Sequence, residues 1–156
     1  MRKHGSFFVW LLISLLLLTA CGQTTAPMDL EPTPYEKINN LDGVTMTIKA
    51  EASPTGLTVE MENNSDKDCI YGEYFWLEKK IEGEWYELPV VIEGNYGFND
   101  IGYDLPSGAA SQWTVDWEGL YGSLEQGEYR IVKDILVFRG TGDYDTYYLA
   151  AEFTIN

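Results

Sequence analysis

Histidine and cysteine are scarce in this 156-residue chain, which holds one His and two Cys. The single histidine, His4, lies near the amino terminus, so the remainder of the chain has none. Beyond that segment the sequence therefore excludes a Ser–His or Cys–His nucleophile pair, histidine-ligated zinc and an imidazole proton shuttle. Two cysteines, Cys21 and Cys69, are also too few for a disulfide framework.

Basic residues are few as well. The chain has 10 Lys and Arg against 25 Asp and Glu, a formal net charge of −15. A chain this acidic is repelled by nucleic acid and by anionic lipid surfaces. The composition therefore predicts no nucleic-acid partner.

The main apolar run is too short to span a membrane. Residues 7–18 form twelve apolar or uncharged positions, whereas a spanning helix needs about 20. Arg2 and Lys3 precede the run and small residues follow it, which is the layout of a secretory signal peptide. Removal of residues 1–20 would leave 8 Lys and Arg against 25 Asp and Glu, a net charge of −17.

The apolar run ends in Leu18-Thr19-Ala20-Cys21, which resembles the lipobox of bacterial lipoproteins. In that family the cysteine is acylated and becomes the first residue after cleavage. The resemblance implies that Cys21 anchors the protein on the extracytoplasmic face of the cell membrane, since each buried CH₂ adds about 0.8 kcal/mol. An ordinary signal peptide cleaved beside a cysteine is the alternative. Residues 21–40, with three of the six prolines, are predicted to form a flexible tether.

Between residues 41 and 156 the chain consists largely of segments in which apolar and polar residues alternate with the period of two that indicates β-strands, whereas residues 93–108 are loop-rich without sustained alternation. The pattern predicts one all-β domain, an immunoglobulin-like antiparallel β-sandwich of about seven strands, with a small closed barrel as the alternative. The predicted strands are 44–50, 57–62, 69–80, 85–88, 112–117, 128–138 and 147–155.

Two of these strands carry special features. The 69–80 segment is apolar on both faces around Tyr74, Phe75, Trp76 and Leu77, which predicts a central strand covered on both sides. In the 128–138 segment the alternation slips near Lys133-Asp134, which predicts a β-bulge.

Gly127 and Tyr129 stand at the start of the penultimate predicted strand. This is the place of the tyrosine corner of immunoglobulin-like domains, in which the tyrosine hydroxyl bonds to the backbone upstream. A turn glycine followed by an ordinary core tyrosine is the alternative.

The order of several short segments resembles a bacterial immunoglobulin-like family over residues 44–155. Its most specific part is Gly127-Glu128-Tyr129-Arg130-Ile131 after Tyr121-Gly122-Ser123-Leu124, and Leu105-Pro106-Ser107-Gly108 adds to it. That family occurs in secreted proteins and lipoproteins, chiefly of Gram-positive bacteria. The resemblance implies a β-sandwich without known catalytic residues, and it implies little about function.

Three aromatic residues, Tyr96, Phe98 and Tyr103, lie in a long connection rich in glycine and asparagine. Binding residues concentrate on long loops of rigid sandwiches, and tyrosine with asparagine and glycine is typical of recognition loops. The sequence therefore predicts a candidate binding loop here. The alternative is that the three rings fold back and cover the end of the sandwich.

The remaining candidates for chemistry are weak. Cys69 has no partner after lipidation of Cys21 and is predicted to be a small apolar filler. The acidic loops around residues 66–68 and 143–145 lack an EF-hand pattern, so we expect solvated turn carboxylates and no metal site. We expect neither an enzyme nor a cofactor.

These observations predict a non-catalytic, membrane-anchored extracytoplasmic lipoprotein whose domain binds or assembles with a cell-envelope protein or polymer, such as a polysaccharide. One alternative is a proteinase-inhibitor-like module whose 93–104 loop enters a protease cleft. A second is a carbohydrate-binding module, which requires Trp76, Trp113 or Trp117 to be exposed. A third is a structural spacer without a ligand.

Overall fold

Nine β-strands and one single-turn helix are formed by residues 30–156, the part of the chain that the computed structural model describes. The strands are β1 (Val44–Ile48), β2 (Gly56–Asn63), β3 (Cys69–Tyr71), β4 (Trp76–Ile81), β5 (Glu84–Glu87), β6 (Tyr103–Leu105), β7 (Ala110–Asp116), β8 (Gly127–Gly140) and β9 (Asp143–Ile155). The helix α1 (Glu118–Tyr121) follows β7. Residues 1–29, which include Cys21, lie outside the described residues.

The strands form two antiparallel sheets. The small sheet has the order β1-β2-β7. In the large sheet β8 is central: β9 pairs with one edge of it, and β4 and β3 pair in succession with the other edge. Beyond these lie β5 next to β4 and β6 next to β3. The predicted antiparallel β-sandwich is confirmed, and the strands do not close into a barrel.

The core lies between the two sheets because alternate residues of each strand point inward. The small sheet contributes residues such as Val59 and Met61, and the large sheet contributes residues such as Ile131 and Leu149, all fully buried. The apolar residues that recur at every second position of the sequence are therefore the residues that face inward from each strand.

The predicted central strand 69–80 is interrupted. Ile70 pairs with Leu136 and Trp76 pairs with Val132, so the five residues 71–75 lie opposite the three residues 133–135. Residues 72–75 thus form a bulged link between two collinear strands, and we call them the β3–β4 link. Gly72 at its start is a residue typical of strand irregularities.

The bulge predicted in β8 near Lys133-Asp134 is wrong. The register of β8 against β9 runs without a shift from Gly127 to Phe138, and the irregularity lies in the opposite strand. The alternation only looked displaced, because Lys133 occupies an inward position between Ile131 and Ile135 where an apolar residue was expected.

Residues 31–39 cross the outer face of the large sheet, and we call them the strap. At one end the Thr33 N–H donates to the Trp85 carbonyl at 3.0 Å, which adds a short extended segment to β5. In the middle the ring of Tyr35 contacts those of Trp76 and Tyr148, at 5.7 and 4.8 Å between centroids. At the other end Asn39 exchanges side-chain hydrogen bonds with the backbone of Ala150. The sequence predicts a tether over 21–40, and its described part is thus bound to the sheet.

A buried ion pair lies beneath the strap. Glu78, which is fully buried, accepts a hydrogen bond from Arg130 on the neighbouring strand. The same guanidinium donates to the Thr33 hydroxyl at 3.1 Å and stacks 4.5 Å from the ring centroid of Trp85. The strap therefore closes over a polar pair that the open sheet would leave facing water.

Candidate functional site

One open groove of about 290 Å³ is lined by residues from three separate segments, and we call it the aromatic groove. The segments are the β3–β4 link with the start of β4, the loop 88–102, and the helix α1. The lining residues are Tyr74, Phe75, Trp76, Tyr96, Gly97, Phe98, Leu120 and Tyr121.

The rings of the groove are held by one another. Phe98 is partly buried, and its ring lies 4.8 Å from that of Tyr74 and 5.7 Å from that of Phe75, which belongs to the core. Tyr96 meets the Phe98 ring edge-on at 6.3 Å. Tyr74 and Tyr96 remain 49% and 47% exposed. Phe98 therefore anchors the loop, while Tyr74 and Tyr96 present their rings to solvent.

The helix α1 lines the groove with Leu120 and Tyr121. The Val91 N–H donates to the Leu120 carbonyl at 2.7 Å, which fastens the 88–102 loop to the helix. The Tyr121 ring lies 5.9 Å from that of Phe75. Burial raises the pKa of Tyr121 to about 12, so its hydroxyl stays protonated at neutral pH.

Exposed apolar surface is concentrated around this groove. In residues 30–156, seven large apolar or aromatic side chains are strongly exposed, and five of them belong to the β3–β4 link or to residues 91–101. The five are Tyr74, Val91, Ile92, Tyr96 and Ile101. A clustered exposed apolar patch is typical of an interaction surface, whereas scattered exposed residues are ordinary.

The sequence around the groove carries charge of one sign. Residues 81–129 contain ten Asp and Glu and no Lys or Arg. Of these, Glu93, Asp100 and Glu118 are exposed on the segments that form the groove. The three segments that form the groove therefore carry exposed acidic side chains, which we call the acidic rim, and no Lys or Arg.

Tyr103, the third ring of the predicted binding loop, lies on β6 and does not line the groove. Its ring stacks on that of Tyr71 at 5.2 Å, and its hydroxyl donates to the carboxylate of Glu73. This hydrogen bond raises the pKa of Tyr103. The structure thus brings Tyr96 and Phe98 together and separates Tyr103 from them.

Tyr129 has the geometry that defines a tyrosine corner. Its hydroxyl donates to the carbonyl of Glu125, four residues upstream, at 2.8 Å. A Cβ at Gly127 would lie 3.2 Å from the Tyr129 ring, so glycine leaves room for that ring. The corner lies at the entry to β8 and has a structural role.

Lys133 is the residue near the groove that the sequence analysis missed. It is fully buried, and its ammonium group donates to the carbonyls of Gly72 and Tyr74, the latter at 2.9 Å. The nitrogen also lies 3.9 Å from the ring centroid of Trp113 and 5.5 Å from that of Tyr71. Burial lowers the pKa of Lys133 to about 8. The apparent slip in the alternation of apolar and polar residues at position 133 was the feature of the sequence that indicated a buried lysine.

The other candidate residues have structural surroundings. Cys69 is buried and free, and burial raises the pKa of its thiol, which makes it a poor nucleophile. Asp143 and Asp145 both pair with Arg139 at 2.7 Å. Within residues 30–156 no three His, Cys, Asp or Glu side chains are grouped so that they could hold a metal ion.

The burial of the tryptophans leaves little exposed indole surface on which a sugar ring could stack. Trp113 and Trp117 are 7% and 0% exposed, and the Trp117 indole donates to the Pro54 carbonyl at 2.9 Å. Only Trp76 of the three is partly exposed, and Tyr35 of the strap packs on it. In the part of the chain that is described, no helix has the length and apolar character to cross a membrane.

Comparison with known proteins places the chain in a family. Among curated proteins, none matches it. A solved structure that it resembles is the ASH / PapD-like domain of human CEP192 (PapD-like domain 7), with 11% identity, a TM-score of 0.32, and coverage of 78% of this chain and 95% of that one. The family described as bacterial Ig-like domain matches residues 40–154, nearly all of the sandwich. The chain therefore belongs to the bacterial Ig-like domain family.

Proposed function

We propose that this protein is a non-catalytic lipoprotein, anchored through Cys21 on the extracytoplasmic face of the cell membrane, that docks a protein of the cell envelope in its aromatic groove. The observation that carries the proposal is the groove itself. Aromatic and aliphatic residues from three segments line it, Tyr74 and Tyr96 among them are about half exposed, and residues 81–129 hold no Lys or Arg.

A protein partner suits this surface better than a polysaccharide. The aromatic rings that line the groove, the half-exposed Tyr74 and Tyr96 among them, form an apolar surface, and exposed acidic residues lie on the same segments. This combination resembles the apolar core and polar rim of protein–protein interfaces. A sugar-binding platform would use exposed tryptophans, whereas Trp113 and Trp117 lie in the core and Trp76 is only partly exposed and packs against Tyr35. Anionic wall polymers are disfavoured because the rim is acidic.

The proteinase-inhibitor alternative receives less support from the loop. Phe98 packs on the core residue Phe75, and Val91 is bonded to α1. These contacts hold the loop 88–102 against the sandwich, whereas an inhibitory loop has to project into a protease cleft. The partner that the groove fits is a protein segment with apolar side chains flanked by Lys or Arg.

Site-specific cross-linking in intact cells tests the docking proposal. A photoreactive amino acid replaces Tyr96 in the full chain, and in a control it replaces Tyr144, which is similarly exposed at 50% but lies in the β8–β9 hairpin. We expect a discrete adduct with one envelope protein from position 96 and none from position 144. Equal adduct patterns from both positions, or no adduct from position 96, would contradict a docking role for the groove.

The anchor is tested separately. Metabolic labelling with a palmitate analogue should label the full chain and place it in the membrane fraction. The Cys21→Ala variant should lose the label and leave that fraction, because the acyl chains supply the membrane affinity. An unlabelled wild type that is released in soluble form would show that Cys21 is not acylated.

A further inference from the structure

We propose that Lys133 is a positioning residue for the aromatic groove: its ammonium group holds two carbonyls of the β3–β4 link and thereby fixes the place of Tyr74. The inference rests on the proposed function of the groove. According to this inference, Lys133, which is buried inside the sandwich, determines the shape of the groove on its surface.

The first step concerns the backbone hydrogen bonds of the β3–β4 link. Five residues, 71–75, lie opposite three residues of β8, so the regular ladder cannot pair all of their backbone groups. The carbonyls of Gly72 and Tyr74 accept hydrogen bonds from the Lys133 ammonium instead. One side chain therefore supplies hydrogen-bond donors to two carbonyls within the bulge.

The second step concerns what the link presents to solvent. The Tyr74 carbonyl is bound to Lys133, while the Tyr74 ring is half exposed in the groove and contacts Phe98. The next residue, Phe75, is buried and forms the floor of the same groove. A shift of the link would therefore displace the wall and the floor of the groove together.

The third step concerns why a lysine stands there at all. The inward positions on either side of it, Ile131 and Ile135, are fully buried, and an apolar side chain would fill the same place without the cost of burying a charge. The ammonium group is compensated by two carbonyls and by the faces of Trp113 and Tyr71. A buried charge of this kind is a weak source of stability but specifies one geometry, which is what a binding surface needs.

Hydrogen exchange on the full chain in detergent micelles tests the inference without any partner. Lys133→Met keeps the approximate volume and removes the donors. We expect amide protection to fall at least tenfold in residues 72–76 and to change less than twofold in residues 57–61 of the other sheet. Ile131→Val, a core substitution on the same strand, should leave residues 72–76 unchanged.

Conservative replacement distinguishes positioning from simple packing. Lys133→Arg retains the charge and the N–H donors, so it should restore most of the protection of residues 72–76 that Lys133→Met loses. If arginine is too large for the chain to fold, Lys133→Gln supplies two N–H donors in a smaller side chain. Protection that is unchanged in Lys133→Met, or lost equally throughout the chain, or not restored by either donor variant, would overturn the inference.

Binding measurements then test whether the β3–β4 link determines the affinity of the groove for its partner. With the protein that cross-links at position 96, Lys133→Met should weaken affinity about as much as Tyr74→Ala does. If Lys133→Met lowers the amide protection of residues 72–76 but retains the affinity for the partner, Lys133 does not position the groove. If Tyr74→Ala, Tyr96→Ala and Lys133→Met all leave affinity unchanged, the docking function itself fails, and the exchange result still decides whether Lys133 holds the link.

Discussion

Four polar or charged side chains are buried among the described residues, and each is bound to partners that fix local geometry: Asn63, Glu78, Arg130 and Lys133. Asn63, for example, donates to the carbonyls of Lys67 and Leu105 at 2.7 and 2.8 Å, which ties the loop after β2 to β6. Burial of such groups is costly unless their hydrogen bonds are made, and among these four side chains only Oε1 of Glu78 is buried without a hydrogen-bond partner. At the residue scale, these side chains hold the irregular parts of the fold.

The Tyr129 hydroxyl offers a simple test of one such contact. Tyr129→Phe keeps the ring but removes the hydrogen bond to the Glu125 carbonyl. We expect the free energy of unfolding, measured with urea, to fall by about 0.5–1.5 kcal/mol. Tyr144→Phe, at an exposed position, should leave it unchanged within error, and an equal loss in both variants would contradict the role of the Tyr129 bond.

Lys133 predicts a pH dependence of stability. Its pKa is lowered to about 8 in the folded chain, whereas an unfolded lysine titrates near ~10.4. Between these values the unfolded state binds one more proton, so the contribution of Lys133 to stability rises with pH, and below about pH 8 it is flat. The difference in unfolding free energy between wild type and Lys133→Met, measured from pH 7 to pH 10, should therefore shift in favour of the wild type as pH increases. A flat difference would show that the pKa of Lys133 is not lowered.

At the scale of elements, the alternation of residues predicted where strands lie but could not predict how two of them are interrupted. The 69–80 segment is apolar on both faces around residues 74–77, so only Gly72 signalled the β3–β4 link, and a single glycine is a weak signal. The short strand β6 stayed hidden because three residues within a loop carry no measurable period.

The strap could not be predicted from the sequence either. Residues 31–39 contain two prolines and no sustained apolar period, which are the marks of a linker. Their position is set by contacts with distant residues, such as those of Tyr35 with Trp76 and Tyr148. Tertiary contacts of this kind leave no periodic pattern in the sequence.

The strap provides a prediction at this scale. Tyr35→Ala removes a partly buried ring from two aromatic contacts, so we expect a loss of unfolding free energy of about 1–3 kcal/mol. Glu36→Ala, at the exposed neighbouring position, is the matched control and should change stability by less than about 0.5 kcal/mol. A chain that begins at residue 41 should lose at least as much stability as Tyr35→Ala. Equal stability of all these chains would mean that the strap does not contribute to the fold.

At the scale of the whole molecule, the groove could be predicted only in part. The loop composition identified Tyr96 and Phe98, but the residues that complete the groove come from two other segments, and their meeting depends on the folded sandwich. Tyr103 has the same local composition around it and lies elsewhere, because β6 pairs with β3 and turns its ring onto Tyr71. Local sequence does not distinguish these two outcomes.

The overall charge predicts how a partner associates. With a net charge of −17 once residues 1–20 are removed, and with an acidic rim, the chain should attract a basic partner from a distance, and salt should screen that attraction. We expect the association rate constant, measured by surface plasmon resonance, to fall several-fold between about 0.05 and 0.5 M NaCl, with a smaller change in the dissociation rate. An association rate that is independent of salt would contradict electrostatic attraction by the rim.

The most direct test of the docking function is the dissociation constant of the cross-linked partner for three forms of the full chain. We expect Tyr96→Ala to weaken binding at least about tenfold, which corresponds to ~1.4 kcal/mol, because exposed tyrosines at the centre of an interface carry much of its energy. Tyr144→Ala, at the similarly exposed position in the β8–β9 hairpin, should bind within twofold of the wild type. If Tyr96→Ala binds as tightly as the wild type, or if both variants weaken binding equally, the aromatic groove is not the docking site.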